Sequence, residues 1–312
     1  MMANGTMLAT AGAATLFIVF ALLKLLKKKR RIDLQNKVVL ITGASSGVGE
    51  ACARVFFLAG AKVVLCARRE VELQRVKDDL VKLKTKAPVT AHEPMVLPLD
   101  LADLKGLPGC IKEVIDKFGT IDILINNGGI SYRGEILDTD VETDIRLMTV
   151  NYFGQVALTK AVLPYMLKSG YGHIVAVSSI QGKISIPFRS AYSASKHALQ
   201  AFFDCLQSEL ADRNIQATVV SPGYIRTNLS VNALTGDGTQ HGVMDATTAS
   251  GMPPSQVANE IARAVTNGEQ EIILAPIHHR LVVYICSLCP SLYFYIMNKR
   301  AKKQRLTAKK SS

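Results

Sequence analysis

An α/β chain built on a single doubly wound parallel sheet is the fold class this sequence predicts, and three observations predict it. From Lys37 onward, short β-branched runs alternate with longer stretches of helical period, the pattern of parallel strands covered on both faces. A glycine-rich turn, Thr42-Gly43-Ala44-Ser45-Ser46-Gly47-Val48-Gly49, joins the first such run to the first helical stretch. The chain has 312 residues, 48% of them hydrophobic, enough for one core of about 250 residues, and it shows neither internal repeat nor long linker.

The ends differ from the body. Met1 to Leu23 carries no charge, and the apolar block Leu8 to Leu23, extended by Leu25 and Leu26, approaches the length that spans a bilayer before Lys27-Lys28-Lys29-Arg30-Arg31 cuts it off. Positive charges that follow the apolar run predict an uncleaved transmembrane anchor helix over a secretory signal, and the segment is apolar all round, unlike a buried globular helix. The positive-inside rule places the body in the cytosol; Asn228-Leu229-Ser230, a glycosylation acceptor usable only on the lumenal side, discriminates the two orientations. The organisation expected is therefore 1–31 anchor and basic flank, 32–275 doubly wound domain, and 276–312 apolar segment with basic tail.

The net charge of +12 does not predict a nucleic-acid partner. Six basic residues fall within 24–31 and seven within 299–310; the 24 that remain face all 25 acids, so the body is near neutral. The six cysteines have no disulfide-framework spacing. Cys52, Cys66 and Cys205 fall in apolar periodic segments and read as reduced core residues, while Cys286-Ser287-Leu288-Cys289 lacks the partners of a zinc site, so no metal is expected.

Taken in order, strands are predicted at Val38 to Thr42, Lys62 to Cys66, Pro94 to Leu99, Ile121 to Asn126, His173 to Ser178, Gln216 to Ser221 and Glu271 to Leu274. After the first, glycines let the backbone approach a pyrophosphate while the start of the helix Val48 to Leu58 supplies N–H donors, which makes Gly43, Ser45, Ser46, Gly47, Val48 and Gly49 candidate dinucleotide contacts. The second ends in Cys66-Ala67-Arg68-Arg69, where guanidinium groups suit a 2′-phosphate. That favours NADP(H) over NAD(H), with Arg68 ahead of Arg69. Leu99-Asp100-Leu101 follows the third strand, Asn126-Asn127-Gly128-Gly129 closes the fourth, and Val150-Asn151-Tyr152-Phe153-Gly154 lies in a long helical stretch where an asparagine is costly. Beyond the fifth strand, Ser179 is followed by Tyr192 and Lys196, four apart and so on one helix face. A nearby ammonium favours the phenolate and lowers the phenol toward working pH, as a general acid requires. The sixth leads into Ser221-Pro222-Gly223-Tyr224-Ile225-Arg226-Thr227, then a polar stretch without period, Asn228 to Met252, expected to be a lid or substrate loop. Leu281 to Met297 is uncharged and interrupted by Pro290. It reads as an apolar flap near the site, a membrane contact or a buried helix.

Ser179, the Tyr-x-x-x-Lys at 192–196 and the G-x-x-x-G-x-G turn together resemble the short-chain dehydrogenase/reductases, over Asn36 to about Leu274. The resemblance implies a Rossmann-type fold and a hydride transfer. Tyr192 protonates the carbonyl oxygen, Ser179 orients it, Lys196 binds the nicotinamide ribose, and Asn151 supports a proton relay. It also implies adenine contact by Asp100, cofactor contact by Asn127 and Gly128, and nicotinamide contact by Pro222, Gly223, Ile225 and Thr227. Gly128 stands where the family usually has alanine, which is expected to loosen the wall beside the cofactor. Within the family, the anchor, the Cys-Ala-Arg-Arg and the Asn-Asn-Gly-Gly look closest to one membrane reductase of the endoplasmic reticulum, and of peroxisomes, for which acyl- or alkyl-dihydroxyacetone phosphate is the candidate substrate. Steroid and retinoid carbonyls are the alternative, and a non-catalytic NADP(H)-binding membrane scaffold is the alternative of another class. Pairing of two copies through the helices of Asn151 and Tyr192 is a further implication.

Overall fold

Successive residues of β1 (Val38–Thr42) point to opposite sides and all five are buried, because helices cover both faces of the sheet. A computed structural model describes residues 31–84 and 91–311. The expected anchor lies outside them; among the described residues no helix is long and apolar enough to cross a membrane.

β1 is joined through α1 (Gly47–Leu58) to β2 (Lys62–Ala67) and through α2 (Glu70–Lys82) to β3 (Met95–Pro98). α3 (Leu107–Phe118), β4 (Ile123–Asn126), α4 (Val141–Met148) and α5 (Gly154–Ser169) lead to β5 (Gly172–Val177), and α6 (Ser190–Glu209) to β6 (Ile215–Pro222). A short α7 (Ala246–Ala249), α8 (Pro254–Asn267) and β7 (Glu271–Leu274) complete the sheet, and α9 (Ile277–Leu288) and α10 (Pro290–Ser311) follow it. The strands are parallel in the order β3-β2-β1-β4-β5-β6-β7, the doubly wound topology expected, with strand bounds within two residues of the predicted ones. The order reverses between β1 and β4, so their carboxyl ends open a crevice there.

The two faces hold separate cores. Val39, Ile41, Val63 and Leu65 pack with Phe56 and Phe57 of α1 and Ile261 and Val265 of α8. Leu40, Val64, Leu124 and Val219 pack with Ile111 of α3, Val162 of α5 and Phe203 of α6. Cys52 and Cys66 belong to these cores as expected, but Cys205 is exposed. On α6 the inward line is Leu199, Phe203 and Leu206, and Cys205 falls off it.

Asn228 to Met252 has little regular structure but is tied down. Ile225 bridges to Met252, Leu234 to Tyr132 and to Gln240, and Asp245 takes an ion pair from Arg133. One face of the C-terminal helices packs on the body as a flap. Tyr293 and Met297 are buried against Ile180 and Ile184, and the Tyr293 hydroxyl accepts the Ser185 N–H at 3.0 Å. Arg305 reaches Glu135 at 2.9 Å, so α10 straps across the loops that follow β4 and β5.

Candidate active site

The glycine turn is compact for a steric reason. Gly43 and Gly47 have φ of 66° and 61°, a region side chains avoid, and a Cβ on Gly49 would collide with the Gly43 carbonyl oxygen. The turn also meets the opposite wall of the crevice: a Cβ on Gly47 would lie 3.2 Å from Thr227 Cγ2. A bare backbone cradle at the start of α1, facing Thr227, fits a dinucleotide pyrophosphate. Ser45 accepts a hydrogen bond from Arg69 at 3.2 Å, Ser46 is the residue before α1, and Val48 is buried.

At the β2–β3 side, Arg68 and Asp100 line one cavity with Leu99, Asp103 and Leu107. Arg68 thus lines this opening, whereas Arg69 donates to Ser45. Asp100 fixes its own loop by accepting from Ala102 N at 2.9 Å.

Thr42, which the sequence reading passed over, holds the far wall. Its hydroxyl accepts the N–H groups of Asn127 and Gly128, each at 2.9 Å, while the Asn127 amide donates to the Thr42 carbonyl. Gln155 donates to the Gly128 carbonyl at 2.8 Å. The expected loosening at Gly128 does not occur: a methyl there would lie 2.8 Å from Leu101 Cδ1, so Leu101 already fills that space.

Asn151 sits in a π-helical turn, Thr149–Phe153, between α4 and α5, a distortion common at functional positions and invisible to helical periodicity. Its amide clamps the loop after β4, accepting from Ile130 N at 2.8 Å and donating to Ile130 O at 2.9 Å and Ser195 Oγ at 3.0 Å. Lys196 and Asn151 flank Gly129, whose added Cβ would meet both.

α6 presents Tyr192 and Lys196 inward, and Ser179, Tyr192, Lys196 and Asn151 are all buried. Lys196 Nζ donates to the Val177 carbonyl at 2.9 Å and lies 5.8 Å from the centre of the Tyr192 ring. Ser179 Oγ accepts Gln181 N at 3.1 Å, which aims the hydroxyl at the phenol. The expectation that Lys196 lowers the phenol is corrected. Burial raises Tyr192 above its ordinary value, opposed by the Ser179 hydroxyl and the Arg133 guanidinium, and the same burial lowers Lys196 to about 8. A phenol kept protonated can donate to an oxygen that gains charge, and the adjacent ammonium stabilises the phenolate left behind.

After β6, Gly223 N donates to Leu274 O at 2.9 Å, Pro222 ends the strand, and Ile225 pairs with Met252, so the turn that carries Thr227 is held over the crevice. Residues 37–237 match the family model described as short chain dehydrogenase. The chain belongs to the short-chain dehydrogenase family. Like other short-chain dehydrogenases it is an NAD(P)-dependent oxidoreductase. It is 54% identical over 302 residues to a dehydrogenase/reductase SDR family protein 7-like of Anopheles gambiae, covering 94% of this chain and 95% of that one. It is 51% identical over 295 residues to dehydrogenase/reductase SDR family member 7B of Bos taurus, covering 94% and 90%. Among solved structures, a short-chain dehydrogenase from Streptomyces avermitilis superposes with a TM-score of 0.71 at 29% identity, over 85% of this chain and 97% of that one.

Next to Ser179 lies a second cavity that short-chain motifs do not describe. Ile180, Ile184, Ile186, Val282 and Met297 make its apolar walls, and Tyr224, His279 and Arg300 its polar end. Arg300 donates to the Tyr224 hydroxyl at 2.8 Å, and its buried Nε has no partner among the described residues. Arg133 and Arg189 stand nearby. Both pair with Asp245, at 2.5 Å and 3.4 Å, and Arg189 feels the charges of Arg133 and Arg300. Three guanidiniums and one carboxylate leave this group net cationic. The sequence held no local signal for this group, because Asp245 is 112 residues from Arg133 and Arg300 falls in a run that reads as a solvated tail.

Proposed function

We propose that residues 32–275 form a carbonyl reductase domain that uses NADPH on a lipophilic ketone carrying an anionic headgroup, with acyl- or alkyl-dihydroxyacetone phosphate as the candidate. Bound NADPH supplies the hydride. Tyr192 gives its proton to the carbonyl oxygen, Ser179 orients that oxygen, Lys196 holds positive charge beside the phenol and toward the ribose, and Asn151 braces the loop behind them. The observation that carries the substrate class is the Ser179 cavity, apolar along its walls and ending at a guanidinium with an unused buried donor. An anion there would gain charge-assisted hydrogen bonds from the guanidinium; a neutral steroid or retinoid oxygen would gain only the weaker uncharged kind. Arg300→Ala is expected to lower kcat/KM for a phosphate-bearing ketone by about 10- to 100-fold and to leave a neutral lipophilic ketone nearly unchanged. Equal losses on both would remove the headgroup from the reading, and no loss on either would favour the neutral carbonyls.

The preference for NADPH rests on Arg68 at the adenosine opening. Arg68→Ala is expected to raise the Kd for NADPH about 10-fold or more while NADH binding stays as it was, read by titration of the two dinucleotides. Equal weakening of both would defeat the 2′-phosphate argument.

The setting proposed is the membrane of the endoplasmic reticulum, with peroxisomes second, through the apolar run Leu8 to Leu23 and its basic flank, the enzyme domain facing the cytosol. Pairing of two copies is supported by Val141, Ile145 and Phe153, large apolar residues left exposed along α4 and the π-turn beside the site.

A further inference from the structure

The flap has two faces, and only one of them is used. On α9, Ile277, Leu281, Tyr284 and Leu288 recur at spacings of four, three and four, and they are 72%, 53%, 62% and 83% exposed. α10 continues the patch beyond Pro290 with Leu292, Phe294 and Tyr295, 44%, 60% and 56% exposed, while Tyr293 and Met297 turn inward to cover Ile180 and Ile184. Soluble monomers rarely leave so many neighbouring large apolar side chains in water.

Charge says what covers this face. The last acid of the chain is Glu271; the 41 residues after it hold eight Lys and Arg and no Asp or Glu. Lys299 lies 4.5 Å from the centre of the Tyr295 ring, so cations border the aromatic part of the patch directly. An apolar and aromatic stripe on helices that carry cations and no acids of their own is the composition of a helix lying in a bilayer interface over anionic headgroups.

The position in the fold agrees. β7 is an edge strand of four residues, about 13 Å long. α9 leaves one end of β7, and Ile32, where the chain arrives from residues 1–31, is held near the other by its N–H bond to Thr266 O at the close of α8, 2.9 Å long. Ile32 and the start of the exposed stripe therefore lie toward the two ends of the same edge strand.

We infer that the outer face of α9 and the start of α10 is a membrane-docking surface, seated on an anionic lipid bilayer. This goes beyond the substrate reading and does not depend on it. Docked in this way, the flap would set the Ser179 cavity close to the acyl-chain region, since α9 and α10 supply its outer wall through Val282 and Met297.

The chain contains no tryptophan, so one introduced residue reports its own surroundings. Full-length Leu288→Trp, reconstituted at low protein density into phosphatidylcholine–phosphatidylserine vesicles, is expected to shift its emission to the blue and to lose roughly half of it when the acyl chains are brominated. Val81→Trp, 42% exposed on α2 at the opposite side of the sheet, is expected to show neither change. Adding Lys299→Glu and Lys302→Glu to Leu288→Trp is expected to weaken the quenching, as is omitting phosphatidylserine. Flotation of the vesicles reads the anchor separately. A Leu288→Trp chain that floats with its indole emission unquenched overturns the docking, and a blue shift without bromine quenching assigns the face to a second copy of the chain instead.

Discussion

Tyr192→Phe is expected to reduce NADPH-dependent carbonyl reduction by about a thousandfold, the range in which a positioned general acid contributes, while dinucleotide binding and thermal stability stay at wild-type values. The phenol is buried and its ring packs with Tyr132, Leu147 and Leu234, so phenylalanine keeps the packing and removes only the hydroxyl. Burial raises Tyr192, so in the free protein the phenol remains protonated through the neutral range and is ready to donate. Lys196 has the opposite exposure to pH. Its ammonium is lowered to about 8, so it is charged below that value and neutral above it. kcat/KM for the dinucleotide, which reports the free protein, should therefore be level below about pH 8 and fall above it. The Tyr192→Phe variant decides between enzyme and scaffold, because a scaffold would consume NADPH no differently with or without this hydroxyl.

The second large effect is expected at Gly49. Alanine normally improves a helix by about 1 kcal/mol over glycine, and Gly49 lies in α1. Here the new Cβ would fall well inside the 3.0 Å that real Cβ atoms keep, against the Gly43 carbonyl and the Asn127 amide. The obstacle is backbone, which cannot step aside without opening the turn. Gly49→Ala should cost about 3 kcal/mol, seen as a fall in Tm of about 6–12 °C, and should weaken dinucleotide binding by about 10-fold or more. Gly109→Ala on α3 is the matched control. Nothing lies within 4 Å of its Cβ, so the same substitution should stabilise slightly, by about 0.4–1 kcal/mol. Equal behaviour of the two variants would remove close packing as the reason for Gly49.

The parts of the site that could be read in advance are those built from neighbours in the chain. Tyr192 and Lys196 share a face because one helix carries both, and the cradle at Gly43 to Gly49 follows from a strand, a turn and a helix in succession. Arg68 was singled out by its position at the end of a strand and Asp100 by the family resemblance, and both line one cavity. The departures came where contacts cross long stretches of sequence. Leu101 fills the gap at Gly128 across the crevice, Thr42 clamps Asn127 from 85 residues away, and the amide of Asn151 in its π-turn bonds the loop at Ile130. The phenol departed in sign: helical spacing shows that an ammonium is near, but how far both groups are stripped of water depends on everything packed over them.

Strand positions, the dinucleotide turn and the Ser179, Tyr192 and Lys196 set were written into periodicity and spacing, since each depends on residues close together in the chain. Tertiary structure alone decided that Arg133 and Arg189 share Asp245 within reach of the charge of Arg300, that Asp245 ties the lid, and that α9 and α10 cover the Ser179 cavity with one face and leave the other bare. Such contacts join segments more than 50 residues apart, and no local pattern encodes them. They arise when the sheet brings its loops to one edge, and charge and apolar area are then sorted by what remains accessible to water.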